Sequence, residues 1–116
     1  MQKPMNLQQV LNAAGADSAR QLELFAILTL GIMESLENGV LSPAEAITVF
    51  FNLENCRFVR DNLPAKAADE VMGRGVQLPD LLEALDAEEA PKEFQREIAA
   101  IRRLCLRLLE EHRLVA

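Results

Sequence analysis

The chain has no tryptophan or tyrosine, one histidine (His112) and two cysteines, Cys56 and Cys105, set 49 residues apart. Each scarcity removes a class of protein. Two isolated cysteines and one histidine make no CxxC or zinc spacing and no disulfide framework. None is needed, because 116 residues, half of them hydrophobic, suffice for one core. Both cysteines stand among apolar neighbours, which predicts reduced, buried thiols and a cytoplasmic location. The N-terminal segment lacks the continuous apolar run of a signal peptide. The longest apolar stretch, Leu24 to Met33, is ten residues, about half a membrane span, so no membrane helix is expected. No stretch alternates apolar and polar over six residues, which removes the usual strand signal.

Catalytic patterns are missing as well. There is no HExxH, no GxSxG and no glycine-rich phosphate loop. The only serines are Ser18, Ser35 and Ser42, and Ser42 has a capping role. His112 shares a helical face with Phe94, Ile98, Ile101, Cys105 and Leu108, which marks it as a core-edge histidine rather than a base. Adjacent acids such as Asp69–Glu70, Glu88–Glu89 and Glu110–Glu111 diverge on a helix and do not share a proton or a metal readily. Glu34 and Glu37 lack the Glu-x-x-His partner of di-iron bundles. Asp86, Glu88 and Glu97 match calcium-loop spacing, but Pro91 stands where that turn requires glycine. No catalytic residue, cofactor or metal is expected.

What the sequence does carry is helix. A short helix is expected near 5–14, ended by Gly15. Asp17 or Ser18 caps a long helix to about Asn38, where Gly39 stops it. Ser42, Pro43 and Glu45 spell a capping box, opening a helix to about Phe51. A break near Asn52 to Asn55 precedes a short helix through 55–62. Leu63–Pro64 opens the next, which is expected to end at the Gly73–Arg74–Gly75 turn with Arg74 at a loop tip. Leu78–Pro79 opens another through Leu85. After a polar link, the last helix runs from about Pro91 to Arg113. The fold class is therefore all-α, a single domain over 1–116. It is a bundle of five to seven helices with two long ones, about 17–38 and 91–113.

On a helical wheel Arg20, Glu23, Glu34 and Asn38 share one sector with Ile27 and Gly31. The ends of the long helix are amphipathic and its middle is apolar all round, which predicts a helix enclosed on every side. The alternative is that Ile27 and Gly31 mark a close helix contact across a dimer.

Three features bear on binding. The last helix sets an apolar face (Phe94, Ile98, Ile101, Cys105, Leu108, Leu109) against a stripe of Arg96, Arg103 and Arg107, which is either solvated or a docking stripe for an acidic partner. In residues 55–64, Arg57 can pair with Asp61, and Phe58 either packs inward or stands exposed as an anchor. The third is Arg74 between its two glycines.

Net charge is −6, unevenly spread. Residues 1–90 hold six basic and fourteen acidic groups, and residues 91–116 hold six basic and four acidic ones. The acidic body disfavours nucleic acid and favours a basic protein partner. The expected contacts are acids that neither pair locally nor cap: Glu34, Glu37, Asp69, Glu70, Asp80 and Glu83.

The segments LGIMESLENGVLSPAEAITVFFN and GVQLPDLLEAL resemble a family of small bacterial helical proteins of unknown function, similar to the single-domain helical immunity proteins found beside toxin genes. The resemblance spans about residues 22–110. It implies a helical fold and a non-enzymatic role, and it carries no functional residues across. The favoured reading is a cytoplasmic protein-binding module, of the immunity type, that neutralises a basic partner. The alternative is a structural or regulatory homodimer with no separate partner.

Overall fold

The computed structural model describes residues 3–112. Within them the chain forms seven helices: α1 Leu7–Ala13, α2 Ser18–Glu37, α3 Pro43–Val49, α4 Leu53–Asn62, α5 Lys66–Val76, α6 Leu78–Ala84 and α7 Glu89–His112. The all-α class and the two long helices stand as expected.

Short polar side chains start most of these helices by accepting from otherwise unpaired N–H groups. The Asn6 Oδ1 takes the Gln9 N–H at 3.0 Å, Asp17 that of Ala19 at 2.9 Å, and Asn52 that of Asn55 at 3.0 Å. Ser42 and Glu45 complete the capping box in both directions, at 3.1 and 2.9 Å. Ser42→Ala is expected to cost about 1 kcal/mol in chemical denaturation. Gly39, at φ 72°, ends α2 in the left-handed conformation that glycine tolerates.

α7 is the long element against which α2, α5 and α6 pack, and α1, α3 and α4 join through these. α2 and α7 run antiparallel, since the later residues Glu34 and Glu37 of α2 meet Arg102 while the earlier Thr29 meets Cys105. The core between these layers holds Leu22, Phe25 and Met33 of α2, Val71 and Met72 of α5, and Ile98, Ile101, Cys105 and Leu108 of α7. Phe25 stacks on Phe50 at 6.1 Å between ring centroids, and Phe50 meets Phe51 edge-on at 5.1 Å.

Four expectations about the chain's course need correction. The middle of α2 is not enclosed. Ile27 is 51% exposed and Gly31 is open to solvent, because α7 and the short helices cover the other sides and leave one stripe bare. Gly73–Arg74–Gly75 is not a turn. All three residues lie inside α5, and the only left-handed glycines among the described residues are Gly15 and Gly39. Gly75 is needed for space instead, since a Cβ there would stand 2.3 Å from the Phe51 ring. α7 starts two residues ahead of Pro91, because the Asp86 Oδ1 accepts from the N–H groups of Glu88 and Glu89 at 3.0 and 2.7 Å. Asp61 lies 3.7 Å from Arg60 rather than pairing with Arg57, while Phe58 is buried, the packed one of its two alternatives.

Buried Asn55 ties the N-terminal segment to the body. Its Oδ1 accepts from the Leu7 N–H at 3.0 Å, and its Nδ2 donates to the carbonyls of Met5 and Phe50, both at 2.9 Å. These bonds cap α1 from outside the helix and close the corner between α3 and α4.

Candidate functional site

The six acids expected to contact a partner fall into two groups with different fates. Glu34 and Glu37 sit three residues apart near the end of α2, so they share one face. Arg102 of α7 lies across from them. Its Nη2 donates to the Glu34 Oε2 at 3.1 Å, and its Nε donates to the Glu37 Oε1 at 2.8 Å, with a second contact from Nη2 to Glu37. Asn38 donates to the other oxygen of Glu34 at 2.9 Å. The hydrogen bond from Arg102, followed by that from Asn38, holds the Glu34 carboxyl below its ordinary value of 4.5. These two acids therefore do pair, with Arg102 rather than with its neighbour Arg103 of the expected stripe. A depressed carboxylate contributes its stability above its unfolded value and loses it as pH falls through the lowered one. In Arg102→Ala the Glu34 titration midpoint is expected to rise toward 4.5, observed by carboxyl NMR. An unchanged midpoint would contradict this origin of the shift.

The second group lies on α5 and α6. Glu70 accepts from the Arg74 Nε at 2.9 Å, one turn along α5. Arg74 reaches on to Glu97 of α7, with Nη1 at 2.9 Å from both carboxylate oxygens. Arg74 is thus a helix-to-helix clasp rather than a loop tip. Beside it, Asp69, Gly73, Gln77 and Leu81 line an open groove of about 550 Å³ that Glu70 and Glu97 complete. Asp80 and Glu83 flank Leu81 on the exposed part of α6. Asp69, Asp80 and Glu83 have no ion-pair partner among the described residues. Between 69 and 89 the chain holds seven acids and a single basic residue, Arg74.

The arginine stripe of α7 is partly spent within its own helix. Arg96 pairs with Glu93, and Arg107 lies 3.9 Å from Glu111. Arg103 and Arg107 border a second groove of about 290 Å³ between α5 and α7, floored by Ala100 and Leu104.

The cysteines offer no ready nucleophile. Burial pushes the Cys105 thiol up to about 12 against the opposing hydrogen bond of Thr29. Cys56 is only half-buried, a correction to the expected full burial. Its thiol is raised chiefly by desolvation and then by Asp69, against the opposing charge of Arg60. Both stay protonated near neutral pH. Among the described residues no three His, Cys, Asp or Glu side chains converge to hold a metal ion, and no helix is long and apolar enough to cross a membrane. The His112 side chain lies outside the described residues.

An all-α helical bundle with a surplus of exposed acid on α5 and α6 is the class that fold and surface define. Within it, the chain matches the family described as Protein of unknown function (DUF3969) over residues 17–115, and it belongs to that family. No curated protein and no solved structure matches it.

Proposed function

We propose that the protein is a non-catalytic protein-binding module that takes a basic partner on the acidic surface of α5, α6 and the link to α7. This is the manner in which an immunity protein would neutralise a basic toxin domain. The observation that carries the reading is the surplus of acid on this surface. Glu34 and Glu37 are engaged by Arg102, while Asp69, Asp80 and Glu83 stand exposed, with no ion pair among the described residues, beside a groove with Leu81 at its edge. Unpaired like charges around an apolar spot favour an opposite-charged partner over water alone when association also covers that spot. The protonated thiols and the capping role of Ser42 support a role without chemistry of its own.

Affinity capture from the native host with the wild type and two variants as baits tests this reading. A partner held by the wild type should be lost by a triple reversal, Asp69→Lys with Asp80→Lys and Glu83→Lys. Its capture should survive Glu34→Lys with Glu37→Lys, provided both variants fold. A partner lost only by the second variant would move the site to α2, and one lost by neither would remove charge from recognition.

A further inference from the structure

The bare stripe of α2 is an apolar helix face without an intramolecular partner among the described residues. From Gln21 to Leu36 the only exposed residues are Ile27, Gly31 and Glu34, one turn apart on one side. Ile27 is half exposed, and nothing lies within 4 Å of the position a Cβ would take at Gly31. A knob and a notch are thus adjacent on the same surface. Leu106 of α7, 51% exposed, stands one turn beyond Arg102 and widens the apolar area on the side facing α2. The Ser35 hydroxyl is turned back to the Gly31 carbonyl at 2.9 Å, so it donates within its own helix.

The charges around this patch are of both signs and nearly offset, unlike those of the whole chain. Arg20 and Glu23 lie at its N-terminal end, Glu34, Glu37 and Arg102 at the other. We propose that a second copy of this chain docks here, α2 against α2 and antiparallel, with the two-fold axis passing between Ile27 and Gly31. Each Ile27 then seats over the partner's Gly31, where the missing side chain permits close approach. About the same axis Glu23 falls beside Ser35 of the partner subunit, within reach of the partner's Arg102. Arg20 falls about one turn, roughly 6 Å, from Glu34 of the partner subunit, a span that an arginine side chain bridges. A parallel pairing would instead set each Arg20 beside the partner's Arg20 and each Glu34 beside the partner's Glu34. For a chain of net charge −6, self-association is less opposed where two positive groups offset all but one of three acids around an apolar centre. A strongly basic partner would find no such excess of acid on this face.

This surface is separate from the acidic one on α5 and α6, and the two proposals stand or fall independently. Sedimentation velocity on the full chain, from micromolar to millimolar concentration, is the test. The wild type should form a dimer whose dissociation constant rises at least about tenfold in Ile27→Lys and in Arg20→Glu. Gly31→Ala keeps the proposal testable if Ile27→Lys does not fold. It should raise the melting temperature of the diluted monomer, as alanine does in an open helical position, while weakening the dimer by filling the notch. A wild type that stays monomeric across the range overturns the proposal, as does a dimer that none of these substitutions weakens.

Discussion

Gly75→Ala is expected to destabilise the protein by about 3 kcal/mol, although alanine is the better helix former. A Cβ at that position would stand 2.3 Å from two atoms of the Phe51 ring and 2.6 Å from a third. Phe51 is buried and packs edge-on against Phe50, so the ring has no free volume to move into. Against a total stability on the order of 10 kcal/mol for a domain of this size, such a loss is large. Two residues earlier the same substitution should have the opposite sign. A Cβ at Gly73 meets nothing within 4 Å, and the residue is helical and exposed. Gly73→Ala should therefore stabilise by up to about 1 kcal/mol. Denaturant titration of the two variants side by side separates crowding from propensity. Equal effects would contradict the packing of Phe51 onto Gly75.

Asn55→Ala should cost about 3–5 kcal/mol, the largest loss for any single polar side chain in the fold. It leaves the Leu7 N–H and the Met5 and Phe50 carbonyls without the partners they have now. An unsatisfied buried group costs roughly 1–3 kcal/mol, and Asn55 serves three from one site. The loss should not be uniform. The amide of Leu7 and the start of α1 should exchange with solvent far faster in the variant, while α2 and α7 keep their order until global unfolding. Protection at Leu7 that survives the substitution would show that α1 is held by apolar contacts alone.

Local signals in the sequence mark out most of the fold. Ser42 and Glu45 stand as their spacing requires, Gly39 stops α2 with positive φ, and Asp17 caps the start of α2. These need only neighbours in the chain. What was not legible depends on residues far apart. Arg102 meets Glu34 and Glu37 across 68 and 65 residues, and neither helix's own pattern selects Arg102 over Arg103. Gly75 beside Arg74 reads as a turn, because the reason for the glycine is a ring 24 positions earlier in the chain. Asn55 has no local mark of its tertiary role. The apolar middle of α2 misled for a different reason. Ile27 and Gly31 lack charge, but absence of charge does not bring another helix to cover them. Of the six candidate acids, Asp69, Asp80 and Glu83 are exposed and in no ion pair among the described residues, while Glu34, Glu37 and Glu70 are paired within the chain.

The surplus of acid on α5 and α6 also sets how association should respond to salt. Field from the unpaired acids reaches about one Debye length, roughly 8 Å at physiological ionic strength, and falls with added salt. The association rate of the captured partner, followed against ionic strength for the wild type and for Asp80→Lys with Glu83→Lys, tests the acidic surface most directly. The wild-type rate should fall steeply as salt rises, and the double reversal should be slower at low salt and nearly insensitive to salt. A rate that neither salt nor the reversal alters would contradict recognition through α5 and α6.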